Sequence, residues 1–222
     1  MAIPDALFAE VQTALGAAVG PSLTAASPPS DLFEAFVWSI VVRAAQQEGA
    51  TISYFNVDGS TPTVFTFRTS PGFIYSSAQP YSYARIAFPE CRMLEAHVGV
   101  RAQGNSGVLH ECDVLVLSAD EAEACRVNET SPRAASLVIV LECKFYATPL
   151  PLGEARAFLG LAGEFNPPTK FLVQNAVSPS ISKLVAYKNH KWADGALPGS
   201  QSVLNLQAEM QSVFRRFKAL EY

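Results

Sequence analysis

Residues 136–146, SLVIVLECKFY, constrain this chain more than any other segment. The run from Leu137 to Leu141 is wholly apolar, which specifies a strand covered on both faces and therefore central in its sheet. Side-chain alternation puts Val138, Val140, Glu142 and Lys144 on one face, with Ile139, Leu141, Cys143 and Phe145 on the other. A strand built for the interior thus ends in a carboxylate and an ammonium side by side. Charge taken out of water is costly unless it is paired or binds a metal, so this ending needs a reason.

The preceding strand candidate, LHECDVLVL at 109–117, repeats the pattern. Alternation groups Glu111 and Asp113 with Leu115 and Leu117, and sets His110, Cys112 and Val114 opposite. Two core strands would each deliver charge to one end of the sheet. A divalent cation answers that placement. Asp113 and Glu142 are hard oxygen ligands, and Mg²⁺ is typically held by one or two carboxylates with water and substrate phosphate oxygens completing its shell. Lys144 would share the pocket, orienting or helping to deprotonate an attacking water and offsetting charge on phosphorus.

The rest of the chain supports an α/β domain. Apolar positions at helical spacing predict a helix over 4–18, and GPSLTAASPPS at 20–30 then breaks it. A second helix is expected from Asp31 to Gly49, with Glu34 three residues after a capping Asp31. From 51 to 90 the texture turns to β: TISYFNV and TVFTFRT flank an Asp58-Gly59 turn as a hairpin, followed by GFIY and YARIAF, an antiparallel elaboration. EAHVGVRA at 95–102 is a further strand, joined to 109–117 by the turn QGNSG. A short helix and loop are expected over 119–133, a helix over 152–165, a buried strand over 170–177 and a helix over SISKLVAYKNHKW. The last helix, 201–220, spaces Val203, Leu206, Met210, Val213, Phe217 and Leu220 as a seam, either for the body of the domain or for a second copy.

Composition excludes several classes. At 222 residues the chain can bury a core without disulfides, and its four cysteines are scattered with no CxxC pair; Cys112 and Cys143 read as small buried hydrophobes. No apolar run approaches the ~18–20 residues of a membrane span, and MAIPDALF has no secretory leader pattern, so a cytoplasmic protein without membrane contact is expected. The net charge of -4 hides an asymmetry. Residues 1–133 carry seven Arg, no Lys and fourteen acids, whereas 134–222 carry nine basic and six acidic residues. A polyanion would meet the C-terminal part.

Asp113, then Glu142-Cys143-Lys144 on the next apolar strand, then a helix, resembles the PD-(D/E)XK nuclease superfamily. The resemblance covers roughly 31–177 and implies a restriction-endonuclease-like mixed sheet flanked by helices, here with an N-terminal helix and an antiparallel β elaboration. One domain then spans 1–222: residues 1–30 as helix and loop, 31–177 as core, 178–222 as C-terminal helices. The resemblance implies Mg²⁺-dependent hydrolysis of nucleic acid, most naturally DNA, with Mn²⁺ able to substitute and a defence or restriction-like role. Asp113 and Glu142 would hold the metal, Lys144 would assist water, Glu34 would complete the metal shell, and Arg156 on the following helix would face substrate. Cys112 stands where the family's Pro precedes the Asp.

Each residue also has a plainer reading. Glu142 and Lys144 can be an ion pair at a strand end, and Glu34 can be the reciprocal half of a cap with Asp31. Glu95, His97 and Arg101 read as a half-exposed strand face. His110, Lys170 and Lys183 read as ordinary polar residues. The acidic balance fits a nuclease recruited by a protein partner or acting on single-stranded or structured substrate; it also fits a non-catalytic nuclease-fold module that binds nucleic acid or a protein, while the seam of the last helix would allow a homodimer.

Overall fold

The computed structural model describes residues 2–78 and 80–221; Met1, Gln79 and Tyr222 lie outside the described residues. Helix α1 (Ile3–Leu15) ends at Gly16, whose φ of 80° stops it short of the expected residue 18. Strand β1 (Gly20–Pro21) leads to α2 (Pro29–Gln47), the most deeply buried helix, with residues such as Phe33, Phe36, Trp38 and Ile40 inside the core. The expected capping box does not form. Proline occupies both the N-cap and the first helical position, no side chain caps the helix, and Asp31 sits within the first turn. There its charge favours the helix dipole, and Glu34 is left free to face inward.

The β excursion departs from the sequence reading. Strand β2 (Thr51–Asn56) does not form a hairpin with TVFTFRT; of that segment only β3 (Val64–Phe65) is extended, paired parallel with β1. The Asp58-Gly59 turn is present, but β2 pairs antiparallel with β4 (Ser82–Ala87) and so joins the main sheet at its edge. Packing decides this. Phe65 and Phe67 are buried against Trp38, with ring centroids 4.7 and 5.3 Å away, and they plug the core instead of alternating along a ladder. GFIY is not a strand and contributes only a bridge from Gly72 to Val100.

The centre follows expectation. Strands β5 (Leu94–Gln103) and β6 (Leu109–Ser118) form an antiparallel pair, then come α3 (Ala119–Asn128), β7 (Leu137–Lys144), α4 (Leu152–Glu164) and β8 (Thr169–Gln174). Helix α5 (Pro179–Tyr187) is shorter than expected, because the chain turns at Asn189 into an edge strand, β9 (Lys191–Ala193), before α6 (Gln201–Glu221). The seven-stranded sheet has the order β2-β4-β5-β6-β7-β8-β9, antiparallel as far as β7 and parallel from β7 to β9. The molecule is thus a mixed α/β domain with helices on both faces of one sheet.

The largest core cluster lies between α1, α2, α6 and the sheet, and takes in Ile139, Leu141 and Cys143 of β7. Helix α6 fills it with Val203, Leu206, Met210, Val213 and Phe214. The expected seam is therefore consumed by the domain's own core, and only Leu220, 85% exposed, is left over. All four cysteines are free, with Cys112 and Cys143 buried. Among the described residues no helix is long and apolar enough to cross a membrane.

Candidate functional site

The two central strands part where the charges begin. β6 and β7 are paired from Leu117↔Leu137 to Val114↔Leu141 and no further. Beyond that point β6 stays with β5 as far as Gln103↔Leu109, while β7 stays with β8 as far as Lys144↔Gln174. The next donor on β7, the Cys143 N–H, donates to a side chain instead of a strand: Asp113 Oδ2 accepts it at 2.6 Å. A wedge opens between the strands. It holds a cavity of about 370 Å³ lined by His110, Glu111 and Asp113 from β6, Glu142 and Lys144 from β7, and Ala157 and Leu161 from α4.

Strict alternation along β6 fails beside this wedge. Cys112 packs in the same cluster as Leu115 and Leu117, whereas Val114 packs with Val116 across the sheet. The expected grouping of Cys112 with Val114 is therefore wrong, and the alternation breaks at Asp113, which still shares the cavity with Glu111. The neighbouring strand turns at Gly99, where φ is +63°, so both strands coil as they approach the cavity.

The electrostatics are those of crowded carboxylates. Burial and the Glu142 charge push the Asp113 carboxyl up to about 7, against the pull of its Cys143 hydrogen bond and Lys144. Burial, then Asp113, Asp31 and Glu111, raise Glu34 to about 9. Glu111 is raised by burial and by Glu142. Lys144 Nζ lies 2.7 Å from Glu142 and 3.8 Å from Glu154. Burial alone would weaken its charge, but Glu142, Asp113 and Glu154 outweigh that and hold the ammonium well above its ordinary value. With no cation present, Lys144 is thus a positive charge held among carboxylates.

The structure thus brings Asp113, Glu142 and Lys144 to one cavity. Glu34 approaches from α2 and senses Asp113 through its charge, but it is not among the residues lining the cavity. Arg156 does not face it either. Arg156 is exposed, and the α4 residues turned to the cavity are its neighbour Ala157 and Leu161. Glu154, also on α4, does reach the site through Lys144. Its position in the first turn of an amphipathic helix was readable, but the carboxylate had no partner until the helix was docked. His110, read as an ordinary histidine, lies in the cavity wall with a buried Nε2 that makes no hydrogen bond and stands 3.7 Å from Glu164.

Among the described residues no three His, Cys, Asp or Glu side chains converge as a ready-made metal cage. The donor set still suits a hard cation. Asp113 and Glu142 present carboxylate oxygens to a cavity with room for water, and a cation there relieves the repulsion that raises Asp113.

A second polar cluster lies inside the domain, apart from the cavity. Glu95 and His97 are fully buried, not on a half-exposed face as expected. Arg126 grips Glu95 with two hydrogen bonds of 2.9 and 3.0 Å, and His97 Nε2 lies 3.1 Å from the same carboxylate. Tyr83 stacks on the imidazole, and the Tyr81 hydroxyl, which donates to the Ile74 carbonyl, is 3.4 Å from Nδ1. Each charge has a partner, and together they tie α3 to β5.

Comparison with protein-family models, with curated proteins and with solved structures finds no match to the chain. The function is therefore read from the site itself.

Proposed function

We propose that the protein is a metal-dependent phosphodiester hydrolase acting on nucleic acid, most naturally DNA, on a restriction-endonuclease-like fold. The observation that carries this reading is the wedge: two core strands separate just where one supplies Asp113 and the other Glu142 and Lys144, and a cavity of about 370 Å³ occupies the gap. Asp113 and Glu142 would hold Mg²⁺, or Mn²⁺ in its place; Glu34 would join the shell only on losing the proton that burial and Asp113 make it hold. The bound ion would acidify a water and neutralise charge on the scissile phosphate. Lys144, oriented by Glu142 and Glu154, presents its ammonium to the cavity as an electrostatic partner for a phosphoryl oxygen. Asp113, anchored on the Cys143 N–H, is pre-positioned by the backbone of the opposite strand. A DNA-cutting, cytoplasmic protein with a defence or restriction-like role is consistent with this chemistry.

One observation favours a second reading. Lys144 is already satisfied by two carboxylates, as in a self-contained ion-pair network, which suits a non-catalytic module of the same fold that binds nucleic acid or a protein. Calorimetric titration of Mg²⁺ and Mn²⁺ into wild type, Asp113→Ala and Glu142→Ala, with cleavage of linear and single-stranded DNA by the same preparations, separates the two. Metal binding and cleavage lost together in both variants support the hydrolase. A wild type that binds no metal in the presence of DNA, and cuts nothing, leaves the non-catalytic module.

A further inference from the structure

The charge of the chain is distributed in a way the cavity does not explain. Between Glu164 and Asp194 there is no acidic residue, while Lys170, Lys183, Lys188 and Lys191 fall in that interval. In a protein of net charge -4, this stretch is a basic island. It contains α5, β9 and the turn joining them, and it exposes two large aromatic side chains: Tyr187 is 79% and Trp192 40% exposed. Lys183 precedes Tyr187 by four residues and shares its helix face. Lys188 follows, with its ammonium 5.4 Å from the Tyr187 ring centre.

Not every lysine in the island is available. Lys170 donates to the Phe165 carbonyl at 2.7 Å, and Lys191 pairs with Glu209 at 3.0 Å. Asp194, at the end of the island, accepts from Ser182. Lys183 and Lys188 have no acidic side chain within ion-pair distance among the described residues. The available surface is therefore Lys183 on α5 and Lys188 at its end, with Tyr187 exposed on the same helix and Trp192 exposed on β9.

From this arrangement we propose that the α5–β9 corner is a docking surface for single-stranded nucleic acid. Lys183 and Lys188 meet phosphates, and unpaired bases stack on Tyr187 and Trp192. Exposed rings reward unpaired bases, because the faces of duplex bases are already stacked on one another. The partner is a polyanion by charge complementarity and a single strand by its aromatic component. The corner also adjoins the cavity. His190, in the turn between α5 and β9, packs edge-on against Phe158 of α4 with ring centroids 5.8 Å apart, and the neighbouring α4 residue Ala157, itself exposed, lines the cavity. A strand lying on the corner is therefore led across α4 toward Asp113 and Glu142, an assignment of substrate that rests on the hydrolase reading.

The test is fluorescence anisotropy with a labelled twenty-nucleotide oligothymidylate in EDTA, where binding is read without cleavage. The expected result is tighter binding of this probe than of a duplex of equal length. Tyr187→Ala and Trp192→Ala should each weaken it about fivefold or more. Lys183→Gln and Lys188→Gln should each flatten the dependence of log affinity on log salt by about 0.7. All four side chains are exposed, and thermal melting checks that the variants keep the fold. Unchanged affinity in the Tyr187→Ala/Trp192→Ala double variant overturns the proposal, as does equal binding of the duplex, or binding of phosphatidylserine vesicles in preference to DNA. Hydrolysis of bis(p-nitrophenyl) phosphate with Mn²⁺, by wild type and Asp113→Asn, reads the cavity separately, since that diester is too small to need the corner. Oligothymidylate binding that depends on the four residues, without diester hydrolysis, keeps the docking surface and removes the hydrolase; the reverse pattern removes only the docking surface.

Discussion

Asp113 stands buried, with one oxygen anchored on a backbone N–H, while Glu142 and Glu111 crowd it with negative charge. Carboxyls raised by burial and by like charge hold their protons more tightly folded than unfolded, so metal-free stability falls as pH rises from about 4 through 7 for Asp113 and through 9 for Glu34. Asp113→Asn keeps the hydrogen bond and removes the charge. It is expected to raise metal-free stability at pH 8 by on the order of 2 kcal/mol while abolishing metal affinity, as read by thermal melting and calorimetry. Glu95 behaves in the opposite sense. Burial works against its charge, but hydrogen bonds from His97 and Arg126 prevail and lower it to about 2. Its stabilising contribution is complete above pH 4.5 and is lost as pH falls toward 2. Urea unfolding at pH 7 should show Glu95→Gln less stable than wild type by on the order of 3 kcal/mol, with the gap closing between pH 4.5 and 2. The acid, acid and lysine of the cavity were legible as residues. The burial of Glu95 and His97 was not, because Gly99 shifts the alternation and the covering Arg126 comes from a different element.

At the scale of elements, α2 and α6 hold the sheet against which the wedge opens. Phe214 of α6 is fully buried, with its ring 5.6 Å from Phe88 at the end of β4. Phe214→Ala should cost about 3–5 kcal/mol in denaturant unfolding; a loss below about 1 kcal/mol would mean that α6 is not the lid of the core. Helices and central strands announce themselves in the chain because their apolar periods are local. The β excursion did not, because TVFTFRT has strand texture for a different cause: its aromatic residues are needed inside, against Trp38. Edge strand β9 is too short for any period to mark, and its residues read as the continuation of α5.

For the molecule as a whole, a ligand that binds only the folded state stabilises all of it. At a hundred times its dissociation constant, Mg²⁺ should contribute about 2.7 kcal/mol. In a chain of 222 residues that corresponds to a rise in Tm of roughly 5–10 °C, absent in Asp113→Asn. Scanning calorimetry with and without EDTA makes the comparison, and no rise in wild type would count against a metal in the cavity. By itself the sequence determined that a wholly apolar strand, central in a mixed α/β domain, would end in Glu142 and Lys144, and that Asp113 would stand on a strand before it. Those are local properties, because hydrophobic period and the cost of buried charge are written in neighbouring residues. Only the tertiary structure decided that β6 and β7 part beside those charges, that Glu154 and not Arg156 reaches Lys144, that the α6 seam is used up by its own core, and that the lysines and aromatics of α5 and β9 share one corner. Each of these depends on how elements distant in the chain twist and dock, and no periodicity along a single segment records it.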